Sequence, residues 1–469
     1  MKKHLEQYFT TSDTLKKLMS DLLGDITNKI LLEPSIGQGD LIKDIIGVPK
    51  RIDGIDIDND VLEISKLIDK NINLYHEDFL KLYMGISHEI LLNEYDGIIS
   101  NPPYGLDIRY IKDQIKKKYK TINATESYTL FMHFSMSLLK DNGRYVFLVP
   151  ATFLVNKNEK ALRNALVEKY APTHIYIFPS KYFETINFGY AHLCIIAGNK
   201  RKLNDKDIVV VKNVVEDFTI NENDQYNGKI LKDNILTGWS NYYLNNNNTK
   251  ILSDIADFVG GFYTPTIPNC IGHTSEENHL FENSIKILKE NILDVNDLTT
   301  DEKIFGVDKL NVFAPFIRNI KNNPFGKCDY YLNWNKKNVE KYKKEGQTIY
   351  NKKYFFKQCI GVPRIFSKFY AAKIDSAIVH KNVHLIVPKD EKYSNALFLY
   401  LNTTYIQQTV LKMLNNAATI TLHHLKNIPI PDFNETDIAI ANQLAEEIKK
   451  NPDNLKIIVE EYYQHLINK

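Results

Sequence analysis

Short apolar runs ended by turn or acidic residues recur along the first half of this chain: Lys29-Ile30-Leu31-Leu32, Arg51 to Ile57, Leu74-Tyr75, Tyr95 to Ser100, Tyr145 to Pro150 and Tyr190 to Ala197. Runs of that length between turn residues read as buried strands. Glu126 to Leu139 has a helical period instead, and Ile175-Tyr176-Ile177-Phe178 reads as core. The pattern predicts an α/β fold on an open sheet, with ligands at the carboxyl ends of the strands.

Those ends carry the polar residues. The first strand runs into Glu33-Pro34-Ser35-Ile36-Gly37-Gln38-Gly39-Asp40, where the glycines permit a tight turn and close ligand approach. Asp56 closes the second strand at a distance suited to holding ribose hydroxyls. The third glycine of a dinucleotide fingerprint is replaced by Ile42, so a nucleoside fits better than a pyrophosphate ligand. Asp78 falls where a third strand would end; its carboxylate could accept from an adenine amino group, or be a plain surface acid.

Asn101-Pro102-Pro103-Tyr104 follows the fourth run and fits the needs of methylating an exocyclic amine. The lone pair of such an amine is delocalised into the ring and must be drawn out before it can attack. Two acceptors aimed at its N–H bonds would do this: the side-chain oxygen of Asn101 and the carbonyl of Pro102, in a loop stiffened by the prolines. Tyr104 can then stack on the base. Pro-Pro-Tyr is also an ordinary way to end a loop.

In these residues and their order the chain resembles the gamma class of adenine-N6 DNA methyltransferases, the TaqI-like enzymes. The resemblance includes Glu6-Gln7-Tyr8-Phe9-Thr10, although Thr11 stands where that class usually has proline, and it continues through Glu126 to Leu154. It implies a Rossmann-like S-adenosylmethionine-dependent methyltransferase sheet followed by a mixed α+β DNA target-recognition domain. It implies that Thr10, Glu33, Ser35, Gly37, Asp56 and Asp78 hold the cofactor, Glu33 at its amino group, Asp56 at the ribose and Asp78 at the adenine. Phe131 would pack on that adenine or serve as helix core. The class stacks a second aromatic on a flipped target base; Phe178, Phe183 and Phe188 compete, and spacing selects Phe183. The implied reaction is direct transfer to adenine N6 in a short duplex sequence by base flipping, with Asn101, Pro102, Tyr104 and Phe183 at the base. Asn-Pro-Pro-Tyr also occurs in methyltransferases acting on release-factor glutamine, and related motifs in RNA guanine methyltransferases, so protein and RNA substrates are the alternatives. Cys194, Cys270, Cys328 and Cys359 form no Cys-x-x-Cys pair, which predicts buried reduced thiols, and His423-His424 are too close in sequence for a metal pair; no metal is expected.

Length, 469 residues, predicts two domains. The tract Asn245-Asn246-Asn247-Asn248 marks the boundary: residues 1–244 for the cofactor and catalysis, 245–469 for DNA recognition. The formal charge of +2 hides a segregation: 251–300 carries a balance of −6, whereas 309–381 holds sixteen lysines and arginines against four acids. The basic stretch is interleaved with Tyr330, Tyr331, Trp334, Tyr342, Tyr350, Tyr354, Phe355, Phe356 and Tyr370, as expected of lysines tracking phosphates and aromatics reaching bases. Lys343, Lys344, Arg318 and Arg364 are the DNA-binding candidates. No apolar stretch suggests a signal region or a bilayer span, so a cytoplasmic protein is expected. Double-stranded DNA is the partner expected, with a separate restriction endonuclease if the chain belongs to a restriction-modification system.

Overall fold

The computed structural model describes residues 12–468 except 46–47, 69–71, 87–93, 120–121, 123–125, 181–191, 215–219, 241–249, 263–268, 275–283, 321–323, 327, 329, 345–351 and 415–418. Two compact units emerge, Met1–Asn247 with Asn415–Ala417, and Asn248–Leu414 with Ala418–Lys469.

The first unit is built on β1 (Ile30–Glu33), β2 (Arg51–Asp56), β3 (Ile72–His76), β4 (Tyr95–Ser100), β5 (Leu139–Pro150), β6 (Pro172–Pro179), β7 (His192–Asn199), β8 (Ile208–Val214) and β9 (Ile220–Asn227). They form one sheet in the order β3-β2-β1-β4-β5-β7-β6-β8-β9. From β3 to β5 every neighbouring pair is parallel, and β7 lies antiparallel between β5 and β6. Ile98, Ile99 and Val146 to Val149 are fully buried, as central strands covered on both faces require. Helix α1 (Asp13–Leu23) begins at Ser12, whose side chain accepts from Leu15 N, and buries Leu15, Met19 and Leu23 on one face. The chain moves outward from β1 to β3 and returns through β4, so strand order reverses between β1 and β4 and opens a crevice at their carboxyl ends.

Two elements differ from the sequence expectation. The strand expected over Tyr145 to Pro150 starts earlier, and Lys140 to Arg144 belong to β5 as well. Asn142 takes a left-handed conformation (φ 62°), and Asn142 N donates to Lys200 O at 3.0 Å, so β5 continues across the irregularity. The third strand stops at His76, and Asp78 lies two residues beyond it.

The second unit is mixed α+β. Its four-stranded sheet has the order β10 (Ala256–Gly260), β18 (Val383–Pro388), β15 (Cys359–Pro363), β16 (Ala372–Ile374); its five-stranded sheet has the order β12 (Ser284–Lys286), β11 (Ile271–His273), β14 (Tyr330–Asn333), β13 (Phe313–Ile317), β17 (Ile378–Val379). Helices Ser394–Leu401, Glu435–Lys450 and Leu455–Ile467 pack on one another. The aromatics of the basic segment are corrected here: Tyr330, Trp334, Tyr342 and Phe356 are buried in the core around β14 with Phe262 and Phe316. Tyr342 Oη donates to Asn333 O at 2.7 Å, so these rings serve packing. Cys194, Cys270 and Cys359 are buried and Cys328 half-buried, and none of the four is in a disulfide. No described helix is long and apolar enough to cross a membrane.

Candidate active site

The register Leu32 opposite Ile98 sets the ends of β1 and β4 side by side. Glu33 closes one strand and Ser100 the other, and the Ser35 hydroxyl lies between them. It is 3.2 Å from Glu33 Oε1, 3.0 Å from Ser100 Oγ and 3.3 Å from the carbonyl of Asn101. One hydroxyl thus joins the loop after the first strand to the backbone of the Asn-Pro-Pro-Tyr loop.

Glu33 is 1% exposed. Ser35 N also donates to its Oε1 at 3.2 Å, but its Oε2 has no hydrogen-bond partner among the described residues. Burial pushes this carboxyl up to about 8. An ammonium group placed there would supply both the missing donor and the countercharge.

The turn after Ser35 has positive φ at Gly37 (53°) and Gly39 (75°). Gly37 N donates to Asp56 Oδ2 at 2.9 Å, and Asp58 N donates to Asp56 Oδ1 at 2.9 Å, so Asp56 ties this turn to the end of β2. Burial raises the Asp56 carboxyl above its ordinary range. Gly39 departs from the sequence reading: a Cβ there would lie 2.3 Å from Ile68 Cδ1. Its open side faces the protein, not a ligand.

Asp78 caps helix α2 (Phe79–Met84), its Oδ1 accepting from Leu80 N at 3.0 Å, and Tyr110 Oη donates to its Oδ2 at 2.8 Å. The next residue, Phe79, packs against Phe131 of α3 (Ser127–Ser137) with centroids 5.2 Å apart. Both rings are buried, so Phe131 is part of the helix core whatever it touches besides.

Tyr104 is 1% exposed. Its hydroxyl lies within hydrogen-bond reach of two acceptors that share its one proton, Asn101 Oδ1 and, at 2.8 Å, Leu148 O on β5. In this conformation its ring offers no open face for a base; the hydroxyl instead sets the direction of the Asn101 amide. Tyr104→Phe keeps the ring and removes that bond. It is expected to slow single-turnover transfer about tenfold while lowering stability by only about 1 kcal/mol, the net worth of one hydrogen bond. An unchanged rate would assign the role to the ring alone.

Ser100 and Tyr110 were not singled out in the sequence. A buried polar residue ending an apolar run was the available signal for Ser100; Tyr110 had none, since it reaches Asp78 only through the fold. Thr10, Phe183 and Phe188 lie outside the described residues, and Phe178 is core on β6. Lys343 and Lys344 end the helix Lys336–Lys344, and their side chains lie outside the described set. Arg318 is half-buried and Arg364 exposed, both in the second unit. Among the described residues no group of three or more His, Cys, Asp or Glu could hold a metal ion.

Residues 36–183 match the Eco57I restriction-modification methylase family. That stretch runs from the glycine turn through the Asn-Pro-Pro-Tyr loop and the strands behind it. The type II methyltransferase M.AccI of Acinetobacter calcoaceticus is 29% identical over 185 residues, 38% of this chain and 33% of that protein. A tRNA (guanine(10)-N2)-dimethyltransferase of Methanocaldococcus jannaschii is 26% identical over 185 residues, 37% of this chain and 48% of that protein. The alignments therefore span between a third and a half of these relatives' length. Among solved structures, a DrdV–DNA complex superposes with a TM-score of 0.56 at 12% identity, covering 94% of this chain and 57% of that one. The sheet is a methyltransferase-like α/β fold of the S-adenosylmethionine-dependent kind.

Proposed function

We propose that this protein is a site-specific DNA methyltransferase that transfers a methyl group from S-adenosylmethionine to the N6 amino group of adenine in duplex DNA. The observation that carries this reading is the Ser35 hydroxyl bridge between Glu33 and the backbone of Asn101, which puts a cation-accepting buried carboxylate next to a rigid amine-accepting loop. Glu33 would take the ammonium group of the cofactor, Gly37 and Asp56 its ribose side, and Asp78, Phe79 and Phe131 its base. When bound, S-adenosylmethionine supplies an electrophilic methyl group.

The chain's own residues do the rest. Asn101 Oδ1 and the Pro102 carbonyl accept from the amino group, draw its lone pair out of conjugation and stabilise the positive charge that grows on nitrogen. Holding two reactants in line supplies much of the rate, and no covalent intermediate on the protein is required. In a duplex the amine is buried in the stack, so the nucleotide must rotate out, at a cost of a few kcal/mol. Phe183 is the proposed aromatic partner of the flipped base. Tyr104, pinned in this conformation, would have to turn its ring to join it.

Duplex DNA as the substrate is supported by the M.AccI likeness and by the basic segment 309–381. Replacing Lys343 and Lys344 together by Ala is expected to weaken duplex binding and to reduce the slope of log affinity against log salt by about two; an unchanged slope would show that this helix end is only solvated. A separate cognate endonuclease is the partner this activity calls for in a restriction-modification system. Incubating the protein with labelled cofactor and either duplex DNA, transfer RNA or a release factor tests the reading. Label in DNA alone is expected, and label in either other substrate alone would replace it.

A further inference from the structure

Three loops of the second unit converge on one edge. β13 and β17 run parallel, with Phe316 opposite Ile378 and Ile317 opposite Val379, so both leave at the same end, through Arg318-Asn319 and His380-Lys381-Asn382. β15 pairs antiparallel with β18, Pro363 opposite Val383, so Arg364-Ile365 emerges there as well. Backbone bonds lock the loops together: His380 N donates to Ile317 O at 2.8 Å, Arg364 N to Asn382 O at 2.8 Å, and Ile420 N to Arg364 O at 3.0 Å. The Asn382 side-chain amide donates to Asn319 Oδ1 at 3.2 Å.

The side chains of this edge are chemically mixed in a specific way. Residues 318–319, 364–368 and 380–382 hold four cations, Arg318, Arg364, Lys368 and Lys381, and no carboxylate. Asn319, Arg364, Lys368, Lys381 and Asn382 are exposed, and Ile365, between them, is 70% exposed. His380 beneath adds no charge: burial, with Lys381 and Arg318 nearby, holds it down at about 4. The Asn382–Asn319 bond uses one of the pair's four amide N–H donors and one lone pair of the Asn319 oxygen, so the pair still has N–H donors on both amides and an oxygen acceptor to offer a ligand. An arginine fork matches guanine, a carboxamide matches adenine, and an exposed aliphatic side chain matches the thymine methyl. Lysines beside them match phosphates.

We propose that this edge reads base sequence in a groove of duplex DNA, with Arg364 and the Asn319–Asn382 pair on base edges, Ile365 against a methyl group, and Lys368 and Lys381 on the flanking phosphates. The proposal rests on the DNA reading above and specifies where sequence enters. Arg318 and Arg364, 46 positions apart in the chain, belong to one surface because the strand registers place them there. Sheet-derived segments that enter a groove read DNA in this manner.

The test expresses the wild type, Arg364→Ala, Arg364→Lys, Asn382→Ala and a Lys368→Ala/Lys381→Ala pair in a host free of adenine methylation. Modified sites are mapped by single-molecule sequencing, and the fold is checked by cofactor binding. The wild type is expected to mark one short motif. Arg364→Ala and Asn382→Ala should each relax that motif at a defined position, with discrimination there falling about ten- to a hundredfold. Arg364→Lys, which cannot form the fork, should not restore it. The lysine pair should keep the motif and weaken binding to all sequences alike. An unaltered motif in both Arg364→Ala and Asn382→Ala, or a uniform loss without relaxation at any position, overturns the proposal. A folded wild type that marks no DNA overturns the proposed function itself, and this assignment with it.

Discussion

Replacing Asn101 by Ala is expected to lower methyl transfer by about a hundred- to a thousandfold, the loss typical of removing one preorganised polar group from a reacting centre, while cofactor affinity changes less than about threefold. The asymmetry follows from where Asn101 stands. Its backbone carbonyl is held by Ser35 and its side-chain oxygen by Tyr104, so truncating the side chain leaves the Ser35 bridge to Glu33 intact. Isothermal titration with cofactor and single-turnover transfer on the same preparation separate the two effects. Loss of both together would mean that Asn101 supports the loop rather than the amine. Asn101→Asp is a sharper version, since it keeps an acceptor of the same size but adds a charge; partial activity, rising with pH as the carboxyl ionises, is the expected result.

Glu33→Gln should act on the other half of the reaction and lower cofactor affinity about ten- to a hundredfold, as expected for a lost charge-assisted contact. The pH dependence gives the stronger signature. The Glu33 carboxyl stands at about 8 in the folded protein against an ordinary 4.5, so between those values the native state holds a proton that the unfolded chain releases. Stability without cofactor should therefore fall as pH rises through this window. Cofactor affinity should do the opposite, rising with pH up to about 8 and levelling above it, because an ammonium partner needs the carboxylate. Near pH 7 binding should release about one proton, visible as a dependence of the binding enthalpy on the buffer. In Glu33→Gln both slopes should vanish. Slopes that persist would move the titration to another group, for which buried Asp56 is the next choice.

Much of the first unit was legible because apolar run length and turn residues set its strands. The end of β1 at Glu33 and of β4 at Ser100 follows directly from where the runs Ile30–Leu32 and Tyr95–Ile99 stop. The side-by-side placement of those ends, on which the site depends, comes from strand order, and the sequence reached it only through resemblance. Tyr104 shows the limit of reading residue types. A tyrosine after two prolines suggests a stacking ring, whereas its hydroxyl finds Leu148 on a strand 44 positions away. The basic segment misled in a similar way, since Trp334 and Tyr342 alternate with lysines in sequence but face the core of their own sheet. What sequence spacing could not convey there was strand register, and register is also what gathers Arg318, Arg364 and Asn382.

The base that receives the methyl group decides which reaction this site performs. Genomic DNA from a methylation-free host expressing the chain, digested to nucleosides and resolved by mass spectrometry, is expected to contain N6-methyldeoxyadenosine, absent from the same host expressing Asn101→Ala. N4-methyldeoxycytidine in its place, or unmodified DNA from a folded protein that binds cofactor, would contradict transfer to adenine N6.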